Sequence, residues 1–118
     1  MSERTVEAVR ALIRADLRAA MIAKAMGEIA VLRTLLSALD NAEAVPLAPE
    51  RYTERKFGDP ATEVPRKQLS ADEVAAILGA EQREKLTVAD TLERTGRAAD
   101  AEKLKADAAI VARYLGKP

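Results

Sequence analysis

The chain has 118 residues, enough for one domain, with 19 basic and 19 acidic side chains and no His, Cys or Trp. These absences remove the usual general base, the soft metal ligands, the thiol nucleophile and the disulfide staple. Charge balance removes a global positive field, so attraction to nucleic acid must come from local patches.

Hydrophobic residues make up 48% of the chain but aromatic residues only 3%, so the expected core is Leu, Ile, Val and Ala held between close helices. The opening MSERTVEAVR mixes Glu and Arg with apolar residues and does not read as a signal peptide. No run approaches the roughly 18 apolar residues of a membrane span. A cytoplasmic protein with no membrane partner is expected.

Val6, Val9, Ile13, Leu17 and Met21 step by three or four and make one helical stripe, with Arg10, Arg14 and Arg18 on another face. A first helix is expected from Glu3 to Ala25. Gly27, a poor helix former, either ends it or sits in one long kinked helix; a break is favoured. A second helix carries Ile29, Leu32, Leu36 and Leu39, widened by Val31 and Leu35. It stops near Glu43 to Val45, because Pro46 disfavours helix in the residue before it.

Residues 46–69 form a linker punctuated by Pro46, Pro49, Gly58, Pro60 and Pro65, with Tyr52 and Phe57 available to tie it down. The strongest local signal follows in Leu69-Ser70-Ala71-Asp72-Glu73-Val74. The Ser70 hydroxyl can cap, Glu73 can reach back to the Ser70 amide, and Leu69 can staple against Val74. The third helix should run to about Arg94, with Gly96 as a left-handed stop. Its apolar face is read as Val74, Ile77, Leu78, Leu86, Val88 and Leu92, and its middle as solvated. The fourth helix has a narrow seam of Ala101, Leu104, Ala108, Val111 and Leu115, ended by Gly116. The fold class is thus all-α, a single domain of two helical hairpins (1–45 and 70–116) joined by a Pro-rich loop.

Catalytic chemistry finds little support. The acid pairs Asp72/Glu73, Glu81/Glu84 and Asp100/Glu102 lie beside Arg or Lys on polar faces, as solvated surface acids do, rather than converging as an acid–base pair requires. Ser and Thr hydroxyls have no His partner, and no phosphate-binding glycine loop is present. No catalytic residue, metal ligand or cofactor is assigned. Arg83, Lys85, Arg94, Arg97, Lys103 and Lys105 cluster around the second hairpin and could neutralise RNA phosphates. Surface pairing with nearby acids is the plainer reading of them.

Leu17-Arg18-Ala19-Ala20-Met21, Ala23-Lys24, Leu32-Arg33-Thr34-Leu35-Leu36-Ser37-Ala38 and Asn41-Ala42-Glu43 follow one another in the first half. Leu69-Ser70-Ala71-Asp72-Glu73-Val74, Gly96-Arg97, Asp100, Glu102-Lys103 and Tyr114-Leu115 follow in the second. This ordered set, over residues 12–115, resembles the N-terminal helical domain of the YqeY-like proteins (GatB/YqeY family), relatives of the tail of the tRNA-dependent amidotransferase B subunit. The resemblance implies an all-helical, non-catalytic module that assists glutamine-dependent carbon–nitrogen ligase (amidotransferase) chemistry by contacting tRNA or a partner protein. By the same resemblance Arg33, Arg83, Lys85 and Arg97 are the candidate RNA contacts. The sequence departs from the family pattern at Met26-Gly27-Glu28, where the family tends to be basic. It also departs at Gly116, where the family has proline before a second helical domain. The alternative is a protein-interaction or self-association module without an RNA role, suggested by charge neutrality, the Ala seam of the fourth helix and surplus Leu on the second.

Overall fold

A computed structural model describes residues 5–44 and 68–115. These residues contain four α-helices and no strand: α1 (Val6–Ala23), α2 (Met26–Glu43), α3 (Ala71–Arg94) and α4 (Ala98–Ala112). Glu3, the expected start of the first helix, and most of the 46–69 linker, including Tyr52 and Phe57, lie outside the described residues, as does Gly116.

Thr5 caps α1, its hydroxyl accepting from the Ala8 N–H at 3.1 Å. The break between α1 and α2 is present, but Gly27 does not make it. Lys24 turns into the left-handed region (φ 58°, ψ 36°). The Ala25 N–H then reaches the Ala20 carbonyl at 2.9 Å and the Lys24 N–H reaches Met21 at 3.2 Å. This pair of bonds is a Schellman stop with lysine in the place glycine normally takes. Gly27 sits inside the first turn of α2.

The capping box at Ser70 forms as the sequence predicts. The Ser70 hydroxyl accepts from the Glu73 N–H (3.1 Å), and the Ser70 N–H donates to the Glu73 carboxylate (2.9 Å). Leu69 and Val74 are both buried beside it, closing the staple. At the other end of α3, Gly96 takes φ 82°. The Arg97 N–H reaches back to the Leu92 carbonyl at 2.8 Å, so the third helix ends where expected.

α1 pairs with α2, and α3 with α4. The two hairpins meet through α2, which packs on both α4 and α3. That central position explains why Ile29, Val31, Leu32, Leu35 and Leu39 are all buried: α2 presents a wide apolar arc rather than a stripe. Val6, Val9, Ile13, Val74, Leu78, Val111 and Tyr114 complete the core. The α2 leucines are thus spent on intramolecular packing, with Leu36 packed against the core as well. The seam alanines of α4, Ala101 and Ala108, are buried likewise.

Two apolar stripes differ from the expected ones. In α1 the buried line continues through Ala20, two full turns past Ile13, and leaves Met21 half exposed. In α3 the line toward α4 continues through Ala89, while Leu86 and Val88 are exposed. Ala89, Ala101 and Ala108 let α3 and α4 approach through methyl groups, so bulkier neighbours are turned outward. The middle of α3 is in part solvated, as predicted, with Arg83 and Glu84 exposed and Glu81, Gln82 and Lys85 half-buried.

Candidate functional site

The four candidate RNA contacts fall on three different parts of the fold. Arg33 is exposed on α2 and Arg83 is exposed on α3. The terminal nitrogen of Arg83 lies back over Gly79, within 3.3 Å of where a β-carbon would stand there. Lys85 is half-buried two residues further on, a rotation of about 200° that carries it to the other side of α3. Arg97 is the residue before α4 and pairs with Asp100 at 2.7 Å. It stands roughly 20 Å along the helix from Arg83, at 1.5 Å per residue. Arg33, Arg83, Lys85 and Arg97 therefore do not converge on one spot.

The plainer reading of the second hairpin's bases holds for several of them. Arg94 pairs with Asp90 at 3.3 Å one turn earlier, and Lys105 pairs with Glu93 across the hairpin and with Glu102 at 3.5 Å. The Lys105 ammonium is held above the ordinary lysine range, chiefly by its hydrogen bond to Glu93. Arg33, Arg83, Lys85 and Lys103 have no carboxylate partner among the described residues.

Two polar clusters that sequence reasoning did not single out join the helices. In the first, the Arg10 guanidinium spans from α1 to α2, donating to Asp40 at 2.9 Å and to Glu43 at 2.9 and 3.4 Å. Both the Arg10 and Glu43 side chains are largely buried (11% and 12% exposed). Burial disfavours the Arg10 charge, but the bonds to Glu43 and Asp40 outweigh it, and its pKa rises above the usual arginine range. The spacing of Arg10, Glu43 and Asp40 becomes visible only once α1 and α2 are folded antiparallel.

In the second cluster, Tyr114 donates its hydroxyl to Asp16, and Arg113 donates to Glu28 at 2.8 Å with Asp16 at 3.8 Å. Residues just past α4 are thereby tied to both helices of the first hairpin. Burial pushes the Tyr114 phenol up to about 12, and the negative Asp16 beside it adds to that rise. Arg113 is raised as well, first by its bond to Glu28.

Asp100 and Glu102 are taken by Arg97 and Lys105, and Glu73 is taken by the cap. Among the described residues no three Asp or Glu side chains converge as metal ligands would, and no helix is long and apolar enough to cross a membrane. Among the described residues the surface offers arginine and lysine without carboxylate partners, suited to binding anions through charge and hydrogen bonds. Neither a family model, nor a curated protein, nor a solved structure matches the chain.

Proposed function

We propose that the chain is a non-catalytic, YqeY-like helical module that assists tRNA-dependent amidotransfer by contacting tRNA. The observation that carries the RNA part is that cations such as Arg33, Arg83 and Lys85 have no carboxylate partner among the described residues. In a chain whose charges balance, and whose second hairpin pairs Arg94, Arg97 and Lys105, these are available to phosphates. The family part rests on the ordered segments from Leu17 to Leu115. A cytoplasmic setting goes with this reading.

The test is a fluorescence anisotropy titration with bulk tRNA at low and moderate salt. Binding that weakens steeply with salt supports the proposal. No binding at low salt sinks it.

A second reading is favoured by a different observation. Ile22 and Met26 are 83% and 71% exposed where α1 turns into α2, and Met21 is half exposed beside them. Three large apolar side chains at one tip suit a protein partner or a second copy of the chain. Sedimentation equilibrium of the wild type against Ile22→Glu/Met26→Glu decides the self-association form. A strict monomer at high concentration removes it.

A further inference from the structure

The arginines of α1 acquire a common direction once α1 and α2 are paired. Arg10, Arg14 and Arg18 follow one another at four-residue steps, a slow drift of about 40° each around the helix. Arg10 faces α2, where Asp40 and Glu43 hold it. Arg14 and Arg18 are carried progressively outward along the same edge, and both are exposed. On α2, Arg33 stands two turns before Asp40 and so on the face that Asp40 uses to meet Arg10. The helices run antiparallel, so moving from the Arg10–Asp40 bridge toward the Lys24 turn brings Arg14 level with Leu36 and Arg18 level with Leu32 and Arg33. Arg18 and Arg33 therefore stand on either side of one interhelical edge, with Arg14 a turn away.

None of Arg14, Arg18 and Arg33 has a carboxylate partner among the described residues. The neighbours along this stretch, Ala11, Ala15, Ala30, Thr34 and Ser37, carry no charge. Of the hairpin's described acids, Asp40 and Glu43 lie beside Arg10, Asp16 and Glu28 lie at the opposite edge with Arg113 and Tyr114, and Glu7 shares the Arg14 face about two turns away toward the start of α1. Like charges gathered without counter-charges lower helix stability slightly, so folding does not require them. Their forks match phosphate oxygens in pairs. Tyr114, the one aromatic ring among the described residues, is buried at the far edge, so no described ring is available for stacking on bases.

We infer that the α1–α2 edge carrying Arg14, Arg18 and Arg33 binds the phosphate backbone of RNA without reading its bases. The inference rests on the reading that the chain contacts tRNA, and moves the main contact from the second hairpin to the first. Met21 and Ile22 follow Arg18 by three and four residues on α1 and are exposed, as is Met26 at the start of α2, so an anionic lipid surface is the competing occupant that the test must separate.

The experiment titrates a tRNA transcript, a second transcript of unrelated sequence, and vesicles of phosphatidylglycerol and phosphatidylcholine against the full chain at several salt concentrations. Three proteins are compared: the wild type, Arg14→Gln/Arg18→Gln and Arg83→Gln/Lys85→Gln/Arg97→Gln. Circular dichroism confirms that the variants are folded. The expected result is wild-type binding to both transcripts within about threefold of each other, as backbone contacts require. Arg14→Gln/Arg18→Gln weakens it on the order of tenfold at low salt and flattens the salt dependence by about two in slope. The second variant weakens it less than the first does, by no more than about threefold. Binding lost in the second variant but kept in Arg14→Gln/Arg18→Gln overturns the edge while leaving the tRNA reading intact. No binding to either transcript by the wild type overturns both. Binding to vesicles but not to RNA assigns the edge to lipid and overturns the inference.

Discussion

Tyr114 donates its hydroxyl to Asp16 across 98 positions of sequence, and this bond fastens the end of α4 to the middle of α1. Contact between the two hairpins otherwise runs mainly through α2. The Tyr114–Asp16 bond thus adds a direct tie to α1, beside the Arg113–Glu28 pair that holds α2. Tyr114 is only 3% exposed, so its ring is part of the core while its hydroxyl serves the polar seam.

Tyr114→Phe keeps the ring and removes the bond. The expected loss is about 1 kcal/mol of unfolding free energy by urea denaturation at neutral pH. The pH dependence gives a sharper signature. The phenol is raised from 10.0 to about 12 in the folded state, so the folded chain holds its proton more tightly than the unfolded chain. The resulting stability is fully present below pH 10 and is lost as pH rises through 12. Wild type should lose about 1–2 kcal/mol more than Tyr114→Phe over that interval. Equal alkaline losses in the two proteins would show that the hydroxyl does not hold this place.

Arg10 joins α1 to α2 through Asp40 and Glu43 in a largely buried setting. Arg10→Gln should cost about 1–2 kcal/mol, more than an exposed pair would. A double-mutant cycle with Glu43→Gln should return a coupling energy of about 1 kcal/mol or more. A coupling near zero would make the bridge a surface ornament.

The Ser70–Glu73 capping box fixes where α3 begins. Ser70→Ala should lower stability by about 1 kcal/mol, and Ser70→Asp should recover most of that loss, since Asp caps equally well. Thermal unfolding of the three proteins checks the order. An unaffected Ser70→Ala would mean that the Leu69–Val74 staple alone sets the helix start.

Glycine and lysine occupy each other's natural places in two helices. Lys24 has a left-handed backbone that costs a side chain roughly 1 kcal/mol, whereas Gly79 sits inside α3 with only the flexible tip of Arg83 nearby. Lys24→Gly and Gly79→Ala should each raise stability by about 0.5–1 kcal/mol, and their effects should add because the sites lie on different hairpins. A loss of stability in either variant would contradict the local geometry described for it.

The fold was readable wherever a few neighbouring side chains determine the outcome. Ser70 and Glu73 are three residues apart and complete each other's hydrogen bonds, so the start of α3 needs no tertiary knowledge. Gly96 announces its own left-handed turn. The end of α1 gave no such signal, because Lys24 adopts a conformation that glycine usually marks, and the nearby Gly27 drew the boundary too far along. The face of α3 was misread for a related reason. Leu86 and Val88 attract attention by size, but the closeness of α4 selects Ala89. The polar clusters were hidden altogether: Arg10 meets Glu43, and Tyr114 meets Asp16, only after the chain has folded back on itself. The same holds for the grouping of Arg33 with Arg14 and Arg18, since α2 can be placed beside α1 in the right register only through the Arg10 bridge.

The alanine lining between α3 and α4 has a mechanical corollary. Methyl groups offer no teeth: Ala89, Ala101 and Ala108 interlock weakly with what they touch, and they have no rotamers by which one alignment could be preferred over a neighbouring one. The lengthwise position of one rod against the other must then be dictated by other groups: the tight bend at Gly96, the Lys105–Glu93 bond and the larger Leu78 and Val111 far from the bend. Adding or deleting a residue in the bend would let the two rods slip past each other with little resistance from the surfaces in between.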